Sequence, residues 1–248
     1  MHAELECQIR GQIELAKSKN VIISFSTGAD SLACYLRLKE WGITPAALIY
    51  MEYIHDLPMV RNYIDYFEDK ENIKVYRIAS KLYREDLRNG LFQRPGVGQK
   101  MFADSTIRNE SKSVLNERII SSFNDPLLVI GLRYTDGIFR YKTLIEKGAL
   151  RGNEWNPTAS FTEADTAAII ANSGIKLPFE YRFMGRSFES PRATIANDMA
   201  KFAPKTWGKV KEVFPMVSLL EAQGKLIKRP HDMHRRIKSY GHLAMETE

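Results

Sequence analysis

Cysteine is scarce in this chain, which holds only Cys7 and Cys34 among its 248 residues. Neither lies in a metal-ligand spacing, so the sequence excludes a disulfide framework, a four-cysteine zinc site and an iron–sulfur cluster. No apolar run approaches the ~20 residues that a membrane-crossing helix needs. Residues 1–7 are acidic and mixed, which predicts no signal peptide. We therefore expect a cytoplasmic protein without membrane association.

Acidic residues are slightly outnumbered, because 30 Asp and Glu face 36 Lys and Arg, a net charge of +6. So mild an excess suits an anionic ligand such as ATP or a nucleic-acid substrate, and does not distinguish them. The excess is concentrated late in the chain, near the single acid Asp232, in Lys225, Lys228, Arg229, Arg235, Arg236 and Lys238. This basic segment is either a contact surface for a nucleic acid or a solvated helix face.

Short apolar segments alternate with amphipathic ones through the first half of the chain. They predict strands near 21–23, 46–51, 73–76 and 127–130, and helices near 3–18, 30–41, 57–67, 80–88 and 108–123. This alternation is typical of a parallel sheet covered on both faces. We predict an α/β fold with a parallel sheet flanked by helices. Residues 1–150 would form the α/β domain, and 151–248 a helical C-terminal extension packed on the sheet.

In such a sheet, ligands bind beyond the carboxyl ends of the strands. The first predicted strand runs directly into small and hydroxyl-bearing residues where a helix begins. Small residues let backbone N–H groups approach an anion, and the helix N-terminus adds partial positive charge. The segment reads Ser26-Thr27-Gly28-Ala29-Asp30-Ser31.

The 26–31 segment resembles the Ser-Gly-Gly-x-Asp-Ser signature of the PP-loop ATP pyrophosphatases, which have an adenine nucleotide alpha-hydrolase-like fold. Thr27 stands where the first glycine of the pair is found, and Ala29 where many members carry a lysine. The phosphoadenosine phosphosulfate reductase branch of this superfamily also often lacks that lysine.

Two later segments extend the resemblance to about residues 20–190. The fourth predicted strand is followed by Gly131-Leu132-Arg133, similar to the Gly-Ile-Arg element of the reductase branch. An arginine at a strand end can bind phosphate in bidentate fashion. Residues 156–187 resemble a further reductase region, whose last part lies beside the nucleotide in that family. That part makes Arg186 a candidate anion contact.

The resemblance implies ATP as the ligand, with Mg²⁺, and attack on its α-phosphorus with release of pyrophosphate. Asp30 would hold Mg²⁺ or cap the helix, and Asp30 and Arg133 are the candidate catalytic residues. Met51, at the end of the second strand, would meet adenine or ribose. The candidate nucleotide-binding residues are Ser24, Ser26, Thr27, Gly28, Ala29, Asp30, Ser31, Met51, Gly131, Arg133 and Arg186.

Reductases of this branch need a nucleophilic thiolate near the C-terminus, and no cysteine follows Cys34. The leading hypothesis is therefore an ATP-dependent adenylylating enzyme that modifies a nucleobase, a nucleic acid or a small metabolite. Two alternatives stay open: a catalytically degenerate nucleotide-binding subunit of a modification complex, and a sulfonucleotide reductase that uses a partner's thiol. The sequence also leaves open a homo-oligomer.

Overall fold

The computed structural model describes residues 2–97, 100, 112–227 and 230–247. The predicted α/β class is confirmed, because helices alternate with the strands of one mostly parallel sheet. Its six strands are β1 (Asn20–Ser24), β2 (Ala47–Glu52), β3 (Val75–Ala79), β4 (Pro126–Val129), β5 (Leu150–Arg151) and β6 (Glu154–Trp155).

The strand order is β3-β2-β1-β4-β6-β5. β1 pairs in parallel with β2 on one side and with β4 on the other, and β4 pairs in parallel with β6. β5 is antiparallel to β6. β1 is therefore a central strand, and its residues Val21, Ile22 and Ile23 are buried, as its apolar sequence requires.

Helices account for most of the remaining described chain. The α-helices are His2–Gly11, Ile13–Lys17, Ala29–Glu40, Pro58–Glu71, Lys81–Arg88, Lys112–Ser121, Ile138–Lys147, Glu163–Ser173, Tyr181–Met184, Ala193–Phe202, Pro204–Val213, Leu219–Gly224 and His231–Tyr240. Short 3₁₀ turns occur at Tyr134–Asp136, Pro215–Ser218 and Gly241–Leu243. Of the predicted helix 108–123, residues 108–111 lie outside the described part of the chain.

The structure differs from the predicted elements in two places. The single helix predicted over 3–18 is two helices, which are interrupted at Gln12 after Gly11, a weak helix former. Gln12 accepts a hydrogen bond from Trp155 Nε1 at 2.9 Å. β5 and β6 were not predicted, because strands of two residues are too short to show a period.

The chain folds into two compact units, and each unit draws on three separate stretches of sequence. The first unit comprises Met1–Tyr50, Lys70–Tyr76 and Ser113–Lys176. The second comprises Met51–Asp69, Arg77–Lys112 and Leu177–Glu248. Residue 150 lies inside the first unit, and the predicted domain boundary there stays a prediction.

Each unit has its own apolar interior. In the first, helix Ala29–Glu40 is buried from Ser31 to Leu38 and packs against helix Glu163–Ser173. In the second, aromatic side chains dominate: Tyr53 stacks on Phe214 at 5.7 Å between ring centroids, and Tyr181 meets Tyr240 edge-on at 5.8 Å. Across the described residues, no helix combines the length and apolar character needed to span a membrane.

Candidate functional site

The connections of the sheet change direction at β1. The chain passes from β1 to β2 on one side, whereas β4 is added on the opposite side of β1. In open α/β sheets, ligands bind at such a switch point, beyond the carboxyl ends of the two strands. The 26–31 segment follows β1 and Gly131 follows β4. Two of the predicted motifs therefore lie at one sheet edge, both within the first unit.

The 26–31 segment turns from β1 into helix Ala29–Glu40, and its own hydroxyls hold it. The Ser26 N–H donates to Ser31 Oγ at 3.2 Å, and Ser31 Oγ donates to the Gly28 carbonyl at 2.9 Å. Ser26 is exposed, whereas Gly28 and Ser31 are buried. Ser24, the last residue of β1, is half-buried and lies in register with Ile49 of β2.

Gly28 is the N-cap of that helix, which makes no side-chain cap hydrogen bond. The prediction that Asp30 caps the helix is therefore wrong. The helix begins at Ala29, so Asp30 lies inside its first turn. The positive end of a twelve-residue helix lies at the sheet edge, where the Gly28 N–H donates to Ser26 Oγ at 3.4 Å, and a helix N-terminus favours an anion.

Thr27 adopts a left-handed backbone conformation, with φ 59°. A β-branched residue rarely does so, and conformations of this kind cost of order 1–3 kcal/mol. The Thr27 hydroxyl donates to the Ser26 carbonyl at 2.6 Å. This is the position at which the resembled signature has glycine, the residue that takes this conformation without strain.

Gly131 brings the chain after β4 against the start of helix Ala29–Glu40. A Cβ at Gly131 would lie 2.8 Å from the Asp30 carbonyl carbon, 2.9 Å from its oxygen and 3.0 Å from the Ser31 nitrogen. These atoms are backbone, which cannot rotate away as a side chain does. Only glycine allows this approach, so Gly131 has a structural reason to be at the site.

Arg133 stands at the centre of a buried ion-pair network. Its Nε lies 3.1 Å from Asp30 Oδ1, and its Nη2 lies 2.8 Å from Asp136 Oδ1. The Arg133 side chain is 4% exposed. Asp136 also accepts from the Arg133 N–H at 3.1 Å and pairs with Arg140 at 2.5 Å. Arg133 thus links the loop after β4 to the first turn of the helix, and a phosphate contact stays a prediction for it.

Asp30 is also the residue predicted to hold Mg²⁺. Its carboxylate pairs with the Arg133 guanidinium, and such a carboxylate does not fit a resident Mg²⁺ site. In the part of the chain that the structure describes, no three His, Cys, Asp or Glu side chains are grouped to hold a metal ion. Any Mg²⁺ would therefore enter as the counter-ion of an ATP substrate.

Cys34 lies on the buried face of helix Ala29–Glu40. Its Sγ is 3.2 Å from Thr158 Oγ1, and burial raises the pKa of the thiol to about 12. A thiol with so high a pKa is not a thiolate near neutral pH and does not serve as a nucleophile. Its role is packing within the first unit.

In the segment 156–165, residues 156–160 are buried and residues 162–165 begin a helix. Asn156, Thr158 and Ser160 are fully buried. Thr162 Oγ1 accepts from the Asp165 N–H at 3.2 Å, and Asp165 Oδ2 accepts from the Thr162 N–H at 2.8 Å. This reciprocal capping box starts helix Glu163–Ser173.

Met51 and Arg186 belong to the second unit. Met51 is half-buried in β2, and its neighbour Glu52 accepts from the Asp56 N–H at 2.9 Å. Arg186 pairs with Glu189 at 2.5 Å and lines a cavity of that unit. The structure groups the remaining candidate residues in the first unit; it does not test whether these two join them.

The structure describes only part of the basic segment. Lys228 and Arg229 lie outside the described residues. Arg235, Arg236 and Lys238 are on helix His231–Tyr240, where Arg236 lines the same cavity as Arg186. A nucleic-acid contact of this segment stays a prediction.

Sequence reasoning missed two acids, the partly buried Asp136 and the buried Glu180. Asp136, which binds Arg133, carried one available signal: an acid three residues after an arginine that is expected at a strand end. Glu180 gave none. It is 1% exposed, its Oε1 accepts from the Phe188 N–H at 3.2 Å, and burial raises its pKa to about 7.

Comparison of the chain with models of known protein families and with curated protein sequences gave no match.

Proposed function

We propose that this chain is a PP-loop-type enzyme that binds ATP at the β1–β4 edge of its sheet and adenylylates an acceptor. The observation that carries the proposal is the 26–31 segment. It combines small residues with the positive end of helix Ala29–Glu40 at the switch point of a mostly parallel sheet. Gly131 packs against the backbone of the same turn and makes the arrangement rigid.

In the proposed reaction, an acceptor oxygen attacks the α-phosphorus of ATP. A new P–O bond forms, the bond from the α-phosphorus to the bridging oxygen breaks, and pyrophosphate leaves with that electron pair. A nitrogen or sulfur nucleophile then displaces AMP from the acceptor. The chain would contribute mainly position and charge stabilisation, the largest sources of catalysis in phosphoryl-group chemistry.

Different residues of the first unit would bind the phosphates and position the binding segment. The positive end of helix Ala29–Glu40, with the exposed Ser26 hydroxyl, would hold the β- and γ-phosphates that leave as pyrophosphate. Asp30 and Arg133 would act as positioning residues, because their ion pair fixes the first helical turn to the loop after β4.

The pairing of Arg133 favours a second candidate, a nucleotide-binding subunit without catalysis. Two carboxylates, Asp30 and Asp136, already balance its guanidinium. An arginine held in this way offers less charge to a developing phosphate oxyanion. The strained Thr27 and the absent lysine at position 29 point in the same direction.

Two measurements on the whole chain separate these candidates. Equilibrium binding would use ATP, AMP, adenosine phosphosulfate and its 3′-phosphate, and pyrophosphate release from MgATP would be followed with and without nucleic acid or small-molecule acceptors. An adenylylating enzyme binds ATP and releases pyrophosphate when its acceptor is present. A degenerate subunit binds ATP and releases none, and a preference for the 3′-phosphate would favour sulfonucleotide chemistry.

Gly28→Val tests the location of the site. A valine side chain fills the space that phosphates need beside the helix end, so we expect ATP binding to be lost. Gly208→Ala is the control, because a Cβ there meets nothing within 4 Å. If folded Gly28→Val binds ATP as the wild type does, the 26–31 segment is not the phosphate site.

A further inference from the structure

The second unit contains a cavity of about 440 Å³, within the ~300–1,000 Å³ typical of small-molecule sites. Two stretches of chain form its walls, 184–195 and 230–236. Neither stretch belongs to the 26–31 segment or to the loop after β4. The cavity therefore shares no lining residue with those two segments, and its chemistry can be worked out from its own side chains.

Arginine dominates the charge of this cavity. Arg186, Arg192 and Arg236 line it, against two acids, Glu189 and Asp232. Three positive and two negative side chains leave a net charge of +1, and arginine does not lose its charge at any physiological pH. The walls therefore favour an anion.

One carboxylate serves two of these guanidiniums. Glu189 Oε2 accepts from Arg186 at 2.5 Å and from Arg192 at 3.0 Å. Each guanidinium has five N–H donors, so a single oxygen satisfies only a small part of their capacity. A phosphate group offers several oxygens with the geometry that guanidiniums bind in pairs.

Helix Ala193–Phe202 begins at the same wall. Arg192 is its N-cap and makes no side-chain cap hydrogen bond, and Ala193 and Thr194 line the cavity. The positive end of a ten-residue helix thus lies beside the arginines. The buried Ser190, 8% exposed, also lines the cavity.

The rest of the lining is apolar, with Met184, Ile195 and Met233. Flexible methionines and an isoleucine suit a hydrophobic body rather than a bare ion. A ligand that satisfies both parts of the cavity carries an anionic group at one end and an apolar group at the other.

The walls are held in place before any ligand binds. A Cβ at Gly185 would lie 2.7 Å from Arg236 Cβ and 2.8 Å from the Ile237 nitrogen, so the two stretches of chain are in close contact there. The buried Glu180 carboxylate accepts from the Phe188 N–H at 3.2 Å and fixes the intervening turn. Such preorganisation reduces the entropic cost of binding.

We propose that this cavity binds a small phosphomonoester, with its phosphate against Arg186, Arg192 and the start of helix Ala193–Phe202. The apolar body of the ligand lies against Met184, Ile195 and Met233. This inference does not depend on the proposed ATP site, and the two can fail separately.

Calorimetric titration of the whole chain with phenyl phosphate, inorganic phosphate and phenol tests the inference. Phenyl phosphate binds more tightly than inorganic phosphate because of the apolar wall, and phenol does not bind. Arg192→Gln weakens phenyl phosphate binding by roughly ten- to a hundred-fold, the range expected for a lost charged hydrogen-bonding partner. Glu189→Gln tightens it, because the two guanidiniums lose the negative charge that pairs with both of them.

Arg182→Gln is the matched control. It removes the same charge from the neighbouring helix Tyr181–Met184 but does not line the cavity, so binding is unchanged. Gly28→Val also leaves binding unchanged if the cavity is the site. Melting curves establish that each variant is folded.

Four results would overturn the inference. The first is no binding of phenyl phosphate at low salt, and the second is equal weakening by Arg192→Gln and Arg182→Gln. The third is loss in Gly28→Val with retention in Arg192→Gln, which would assign the bound phosphate to the 26–31 segment. A short oligonucleotide that lacks terminal phosphates distinguishes a nucleic-acid surface. If it competes with phenyl phosphate and is itself weakened by Arg192→Gln, the cavity belongs to a polyanion surface and the inference fails.

Discussion

Replacement of Gly131 by alanine tests the backbone contact that joins the two motifs of the proposed ATP site. The new methyl carbon would lie 2.8–3.0 Å from three backbone atoms of Asp30 and Ser31. Those atoms belong to the first turn of helix Ala29–Glu40, which is buried along most of its length. Either the end of β4 or the helix must shift, and with it the ion pair between Asp30 and Arg133.

The magnitude follows from the cost of overpacking a close-packed interior. An inserted methylene group typically costs about 1–3 kcal/mol. For a protein of this size, 1 kcal/mol corresponds to about 2–4 °C in melting temperature, so we expect Gly131→Ala to melt roughly 2–12 °C below the wild type. ATP binding should weaken as well, because the same shift displaces the 26–31 segment.

Gly208→Ala should change the stability of the chain in the opposite direction, and it can be measured in the same experiment. Gly208 lies inside helix Pro204–Val213, and a Cβ there meets nothing within 4 Å. Alanine has the higher helix propensity, so this variant should be about 0.5–1 kcal/mol more stable. Thermal and urea unfolding of both variants provide the comparison. If Gly131→Ala is as stable as the wild type, the described approach of β4 to the helix is incorrect.

Three further predictions concern buried groups. The folded-state pKa of Glu180, about 7, lies above its ordinary 4.5. The free energy of unfolding should therefore fall by about 3 kcal/mol as pH rises from 4.5 to 7. Urea titrations across that range should show this fall in the wild type and a flatter profile in Glu180→Gln. Arg133→Ala removes the guanidinium that pairs with Asp30 and one of the two that pair with Asp136, so it should destabilise by about 3 kcal/mol. Arg140→Ala, at 48% side-chain exposure, should cost under about 1 kcal/mol, and equal melting temperatures of the two variants would contradict the network. A thiol reagent should modify only the exposed Cys7 in the native chain and both cysteines in urea, because Cys34 is buried. Rapid labelling of Cys34 in the native chain would refute its placement.

The α/β class and the place of the 26–31 segment could be predicted from local sequence. Runs of apolar β-branched residues predict a buried strand. The turn after Ser24 is predicted by the preference of glycine and serine for turns. The capping box of Thr162 and Asp165 was predictable for the same reason, since both partners lie three residues apart. Interactions of this range need no knowledge of the rest of the fold.

The short strands β5 and β6 depended on tertiary pairing. Two residues show no period, and only the presence of β4 beside Glu154 and Trp155 makes them a strand. The interruption at Gln12 is similar, because the indole that Gln12 binds belongs to a residue far along the chain.

Tertiary structure alone decided what several predicted site residues do. The position of Arg133 after a strand predicts a phosphate ligand. The fold, however, brings Asp30 to its guanidinium from across the sheet edge. The arginine-lined cavity likewise joins residues near 190 with residues near 235. Electrostatic pairing and cavity shape act through space and depend on distances between remote segments. Sequence therefore determined the local turns and the fold class, and folding determined which charges meet.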